Sequence, residues 1–243
     1  MNKLKVSEHL RSSYEDYYTD GISEWRWLRA IDVTRNIQSL CKNLSINSVI
    51  EIGAGEGSVL KRLSDLDFAK ELYALEISPT GIETIKNRNI HCLKECSLFD
   101  GYDIPYENKK FDLAVLSHVI EHIEYPRQLL YEAKRIAKYI FVQVPLEDTF
   151  RRSRDFVLDT VGHINFYSPK TIRLLIQTCN FRVIDQRITT SSKEFNIFHR
   201  GKKGLVQFYI RESLLRFSPL IATKILIYNS ALICEDNGES QNT

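Results

Sequence analysis

Val49-Ile50-Glu51-Ile52-Gly53-Ala54-Gly55-Glu56-Gly57 is the stretch that decides how the rest of this 243-residue chain is read. A short apolar run leads straight into three alternating glycines, and a helical pattern follows over residues 58–66. Glycine at alternate positions lets the backbone bend sharply and approach a ligand with no Cβ in the way. A strand-to-helix turn that holds a nucleotide-like cofactor requires this.

Working outward, the first strand covers residues 48–52, and a second covers 72–77 with Glu76 and Ile77 at its end. Pro79 opens a helix to about residue 88, Pro being suited to a first turn. A short third strand (91–94), a polar loop through Asp103, a fourth strand (111–116), a helix (126–137) and a fifth strand (139–144) follow. Strands alternating with helices imply a parallel sheet wound on both faces. Upstream, residues 1–23 are polar and aromatic, with Tyr14, Tyr17 and Tyr18. Packing is the favoured reading of these tyrosines, an arm over a cofactor the alternative. Residues 23–44 read as an amphipathic helix with Ser23 as N-cap.

After Pro145 the alternation breaks. Residues 146–167 carry Arg151, Arg152, Arg154 and the segment Gly162-His163-Ile164-Asn165-Phe166-Tyr167. Ser168-Pro169 opens a helix over 170–179, and a sixth strand covers 181–188. A basic turn (199–204) precedes an apolar helix (205–217), which, being apolar on most sides, is expected to bury itself in its own protein. A membrane or a second subunit is the other surface it could touch. Residues 225–227 and 231–234 are candidates for the last strand, and 235–243 for a disordered tail.

With 43% hydrophobic residues and this length, the chain can bury the core of one elaborated domain. A net charge of +2 lacks the basic excess of a nucleic-acid-binding domain. The five cysteines form no CxxC pair, which fits thiols in a reducing compartment. The amino-terminal residues show no apolar signal-peptide core, and no run reaches about 18 apolar residues. The expectation is a cytoplasmic protein without stable membrane insertion, acting as a monomer or homodimer.

Two cofactors place a ribose against an acid at the end of the second strand: a nicotinamide dinucleotide and S-adenosylmethionine. The dinucleotide fingerprint Gly-x-Gly-x-x-Gly is not met, because the third glycine falls at Gly57 and position 58 is Ser. Glu51 and Glu56 would also repel a pyrophosphate at the helix N-terminus, whereas a sulfonium with an ammonium group suffers no such penalty.

Taken with the strand end Glu76-Ile77-Ser78, the segment Ile104-Pro105-Tyr106 to Phe111-Asp112, and Ser117-His118-Val119-Ile120-Glu121-His122-Ile123, the glycine turn makes residues 46 to about 190 resemble a class I S-adenosylmethionine-dependent methyltransferase of small-molecule type, similar to the quinone O-methyltransferases. The resemblance implies a Rossmann-like α/β fold with a doubly wound, seven-stranded, mostly parallel sheet and an antiparallel last strand. It adds an N-terminal helical cap (1–45), a core (46–192) with a lid insertion (146–167), and a helical insertion with the final strand (193–234). It places Gly53, Gly55 and Gly57 against the methionine part of S-adenosylmethionine, Glu51 near its amino group and Glu76 on the ribose hydroxyls. Ile77 then packs beside the adenine, and Ser117 lines the same site. Where the family often has an Asp after the third strand, this chain has Ser97. Ser97 and Leu98 are expected at the adenine, with Asp100 as carboxylate and Leu98 or Phe99 on the ring as the alternative.

His118, Glu121 and His122 follow the fourth strand, where open α/β sheets put their crevice. The H-x-x-E-H pattern also occurs in a metallopeptidase class, but there it lies on a helix, and here it leaves a strand with Pro126 close behind. Some similar enzymes bind a divalent metal with an acid where this chain has His118. An imidazole turns preference away from Mg²⁺, so no metal is expected. His118 is the first choice of general base, and His122 and His163 complete the catalytic candidates. A histidine, with an unperturbed pKa of about 6.5, suits removal of a proton near neutral pH. Glu121, His122 and His163 could each equally be a loop-tying residue. The expected activity is methyl transfer to a small molecule, at a hydroxyl oxygen. Methylation of a small amine and a catalytically silent cofactor-binding scaffold are the alternatives. Arg151, Arg152 and Arg154 could meet an acidic substrate or simply be a solvated charge run. No nucleic-acid partner is expected, since the Asp/Asn-Pro-Pro-aromatic motif of amino-base methylation is absent after the fourth strand.

Overall fold

Side chains alternate across a strand, so a strand buried on both faces feeds two cores at once. The computed structural model describes residues 4–150 and 162–238. Its seven strands are β1 (Ser48–Ile52), β2 (Glu71–Glu76), β3 (Leu93–Leu98), β4 (Phe111–Ser117), β5 (Ala137–Leu146), β6 (Phe181–Thr189) and β7 (Tyr228–Asp236). They stand in the order β3-β2-β1-β4-β5-β7-β6. β7 is antiparallel to both neighbours, β5 and β6, while the pairs among β1 to β5 are parallel. This is the doubly wound, mostly parallel sheet with an antiparallel last strand that the sequence led us to expect.

The alternation is explicit. Val49, Leu113, Val115 and Phe141 face Val33 and Ile37 of α2 (Glu24–Leu40), Leu60 and Leu63 of α3 (Ser58–Asp65) and Ile85 of α4 (Pro79–Asn87). Ile50, Ile52, Leu116, Ile140 and Val142 face the other way, onto Leu129 and Ala133 of α5 (Pro126–Ile136) and Ile172 and Ile176 of α6 (Pro169–Thr178). Each such side chain contributes about 1.5–3 kcal/mol on full burial. Leu10 of the short α1 (Glu8–Glu15) joins the second core. The strand order reverses between β1 and β4, so the chain leaving each of these two strands enters one crevice.

Several local expectations need correction. β3 starts at Leu93 and runs to Leu98, because a turn from the Leu93 N–H to the Ile90 carbonyl (3.1 Å) occupies the expected start. Ser23 is extended and its side chain caps nothing; its N–H instead donates to Glu56 (3.1 Å). The basic stretch at 199–204 is helical on both sides: α7 (Lys193–Arg200) meets α8 (Lys202–Phe217) at Gly201. Ile225 ends α9 (Pro219–Ile225), and Glu235 and Asp236, expected in the tail, pair with Arg182 and Phe181.

The burial expected of residues 205–217 fails as well. α8 packs on α7 and α9 and turns Leu214 and Leu215 inward, leaving Val206, Tyr209, Ile210 and Phe217 exposed, Phe217 by 86%. Among the described residues, no helix is long and apolar enough to cross a membrane. Arg151, Arg152, Arg154, part of the expected lid, and residues 239–243 of the expected tail lie outside the described residues.

Candidate active site

The chain leaving β1 is pinned to β2 at once: the Gly53 and Ala54 N–H groups both donate to the Leu75 carbonyl, at 2.8 and 3.0 Å. Gly53 has φ +74°, and a Cβ there would stand 2.7 Å from Val119 Cγ2; at Gly55 (φ +57°) it would stand 2.9 Å from the Tyr18 hydroxyl. Glycine is therefore required by both backbone and space. Gly57 differs: it precedes α3 with φ +77°, and a Cβ would meet Ile85 of α4 at 2.8 Å, so it seats one helix against another and does not line the crevice.

Glu76 closes β2 with its carboxylate held by three backbone donors. One oxygen accepts the Gly55 N–H (2.6 Å), the other those of Ile77 and Ser78 (2.9 Å each). Burial nonetheless raises its pKa. Glu51 is 3% exposed, and its Oε2 has no hydrogen-bond partner among the described residues. Burial first, and the Glu76 charge second, push its pKa well above the carboxylate range. Two buried acids with an orphaned oxygen make a site that gains from a cation and resists a phosphate.

Glu56 has a different role from the one its position in the turn implied. It pairs with buried Arg88 (3.0 Å) and with Arg26 (3.6 Å), and accepts from Ser58. Its charge is neutralised, and it ties α2 and α4 to the glycine turn. The repulsion of an anion therefore rests on Glu51 and Glu76.

The amino-terminal tyrosines lie over this cradle. Tyr14, Tyr17, Tyr18, Arg26 and Arg29 wall a cavity of about 410 Å³ whose floor holds Glu51, Gly53, Gly55 and Ser117. A smaller space of about 80 Å³ lies beside it, between Tyr14, Tyr18, Glu76, Ile77, Phe99 and Gly101. Phe99 therefore occupies the place expected of Leu98. Leu98 is 52% exposed, and the Ser97 hydroxyl donates to Glu95 at 2.8 Å, so neither side chain lines the cavities. Asp100, the alternative, is held in a local turn by the Tyr102 and Asp103 N–H groups.

His118 leaves β4 with φ +58°, its N–H on the Gln143 carbonyl at 2.9 Å. Its ring is engaged at both nitrogens: Nδ1 with Glu121 (3.2 Å) and Nε2 with the Gln143 amide (3.3 Å), with Arg29 Nη1 3.4 Å from each. The Asn36 amide donates to Gln143 Oε1 (2.8 Å), which turns the Gln143 NH₂ towards His118. Nε2 thus accepts and Nδ1–H donates to Glu121. Burial, then Arg29, lower the His118 pKa, so the ring is neutral. Burial alone would raise the Glu121 pKa, but the hydrogen bond from His118 leads the contributions that bring it below the usual range. A neutral ring with both nitrogens in use is poorly suited to the general-base role expected of it.

His163 reaches the crevice because its loop is laced to the turn after β4. Ile164 and Asn165 donate backbone N–H groups to the Glu121 carbonyl (2.9 and 3.0 Å), and the Asn165 amide reaches the carbonyls of Ile120 and Ile123 (3.0 and 2.7 Å). The His163 and His122 rings then meet edge to face at 4.5 Å. His163 Nδ1 lies 2.8 Å from Glu147 Oε2, and His122 Nδ1 lies 3.4 Å from the Tyr14 hydroxyl. Donor atoms of Glu121, His122 and His163 fall within 4.8 Å of one another.

Sequence reasoning did not single out Arg29, Gln143 or Glu147 as site residues. For Arg29 a signal exists: with Asp32 and Asn36 it interrupts the inward face of α2 at helical spacing. For Glu147 there is none, since the fold alone carries it to His163.

This cleft lies at the switch point of a doubly wound sheet, where Rossmann-like proteins bind their ligands. The chain belongs to the family described as "Methyltransferase domain", whose profile matches residues 25–186. It is 24% identical over 183 residues to an uncharacterized protein, MJ1123, of Methanocaldococcus jannaschii, covering 70% of this chain and 81% of that one. It is 29% identical over 98 residues to the mitochondrial ubiquinone biosynthesis O-methyltransferase of Candida albicans, covering 37% of this chain and 29% of the relative. The solved structure of the [4+2]-cyclase SpnF superposes with a TM-score of 0.59 at 14% identity, over 84% of this chain and 80% of that one. The likeness to SpnF is one of fold. The protein is an S-adenosylmethionine-dependent methyltransferase, and the residues present fit that cofactor: the orphaned Glu51 oxygen suits a cation, and Gly53 and Gly55 line the cavity with backbone alone.

Proposed function

We propose that this enzyme methylates a hydroxyl oxygen of a small molecule, with His163 as the general base. The observation that carries the reading is one cavity lined at once by Glu51, Gly53, Gly55, Ser117, His118, His122 and His163. The Candida albicans relative, whose name is that of an O-methyltransferase, supports the choice of oxygen.

Glu51 would hold the ammonium end of S-adenosylmethionine, Glu76 its ribose, and Gly53 and Gly55 the backbone-lined cradle. When bound, the cofactor would supply the methyl group from its cationic sulfur to the acceptor oxygen. His163 takes the hydroxyl proton at Nε2, while Glu147 holds Nδ1–H and stabilises the imidazolium that results. His118 acts as a positioning residue that fixes Glu121 and the turn carrying His122. Tyr14 and Tyr18 cover the cradle and exclude water. The loop on either side of residues 151–161 and helices α7 to α9 form the acceptor side. Turnover of a panel of phenols, aliphatic alcohols and amines, followed as S-adenosylhomocysteine formation, tests the reading. Methylated hydroxyl products are expected, and products formed from amines alone would refute O-methylation.

A further inference from the structure

A second cavity, of about 540 Å³, opens behind His163 between α2, α7, α8 and the start of β7. Arg29, Arg200, Arg211 and His199 line it, and the acid in its wall, Glu147, is paired with His163. Among the described residues, none of the three arginines has an ion-pair partner within 4.0 Å. The Nε atoms of Arg29 and Arg211 are buried with no hydrogen-bond acceptor there. Arg29 is stacked in place by Trp25 and Phe195, at 5.8 and 5.4 Å, and Arg211 lies 5.8 Å from the Tyr228 ring. Arg211 also donates from Nη1 to the Ile227 carbonyl, and the buried Nε–H groups of Arg29 and Arg211 are the donors left unmet, which a carboxylate or phosphate satisfies. Burial lowers the pKa of Arg29 despite the Glu121, Asp32 and Glu147 charges around it, and lowers that of Arg211, where Arg200 adds repulsion, so a bound anion would offset desolvation at both.

We infer that this cavity is the acceptor subsite and takes an anionic group of the methyl acceptor, a carboxylate or a phosphate, on Arg29, Arg200 and Arg211. Arg29 and His163 line both this cavity and the cofactor cradle. An acceptor anchored here by its anion therefore extends past His163 towards the methyl donor. The inference rests on the methyl-transfer reading for its purpose, though the anion site is measurable without it.

The test is calorimetry on the full chain with three probes: benzoate, inorganic phosphate and neutral benzamide. S-Adenosylhomocysteine binding is measured separately. At least one anion binds and benzamide does not; benzoate alone marks a carboxylate acceptor and phosphate alone a phosphorylated one. Arg211→Gln weakens anion binding by about tenfold or more, the loss expected for a charge-assisted pair. Arg200→Ala, on an exposed side chain that cannot unfold the protein, weakens it too, and S-adenosylhomocysteine affinity stays unchanged in both variants. Anion binding absent from the wild type, or unaltered in both variants, overturns the subsite. Anion binding retained in a protein that fails to bind S-adenosylhomocysteine overturns methyl transfer instead and leaves the subsite standing.

Discussion

Glu51→Gln separates what the fold needs from what the cofactor needs. Glu51 is 3% exposed, its Oε2 lacks a partner among the described residues, and burial with the neighbouring Glu76 charge raises its pKa well above the ordinary range. Gln keeps an oxygen for the Leu60 N–H while removing the charge. Relieving an unpaired buried carboxylate stabilises by roughly 1–2 kcal/mol after the cost of an unmatched amide. For a chain of this length that is about 2–8 °C in melting temperature of the cofactor-free protein. The same change removes a charge-assisted hydrogen bond to a ligand ammonium, worth about 1.5–3 kcal/mol, or roughly 10- to 150-fold in Kd. The pH dependence has a definite sign. Between the ordinary carboxylate range and the raised folded value, native Glu51 holds a proton that the unfolded chain has lost. The wild type therefore loses stability as pH rises through that window, and the Gln variant lacks this loss. A cation that needs the ionised form binds more weakly as pH falls through the same window. Scanning calorimetry and S-adenosylmethionine titration at several pH values measure both effects. A destabilised Gln variant with unchanged affinity would refute the reasoning.

His163→Gln lowers kcat by about 10²–10⁴-fold with S-adenosylhomocysteine affinity unchanged, as transient kinetics and calorimetry would show. Arg88→Met leaves buried Glu56 only the longer Arg26 contact as an ion pair and costs about 3 kcal/mol; thermal denaturation should show a melting temperature lower by about 6–12 °C. Gly53→Ala forces a positive φ on a side chain and meets Val119, abolishing cofactor binding; adding Val119→Ala restores the space but not the backbone, so calorimetry should find partial recovery. Treatment with EDTA leaves turnover unchanged, because Glu121 is held by His118; a loss reversed by Zn²⁺ or Mn²⁺ would show that Glu121, His122 and His163 hold an ion.

The glycine turn and the buried acids of the proposed cofactor side were legible because they are local. Val49 to Gly57 and Glu76-Ile77 are short segments whose φ requirements and charges leave a trace in residue order. The proposed acceptor side was not. His118 looked like a base because it follows β4, yet Gln143 and Asn36, far along the chain on either side, occupy its ring. Ser97 and Leu98 looked right by position, but the direction of their side chains on β3 gave the place to Phe99. The outward apolar stripe of α8 was unreadable for the same reason: periodicity shows that a helix is apolar, and only its neighbours decide which side is covered.

The sequence by itself determined the strand-helix alternation, the glycine turn and the acid at the end of β2, since each is set by backbone sterics and by charge within a few residues. Tertiary structure alone decided that Glu147 backs His163, that Arg29 and Arg211 converge on one cavity, and that Glu56 is neutralised by Arg88. Those pairings join residues from 16 to more than a hundred positions apart, and a contact that depends on where two elements pack leaves no periodicity to read.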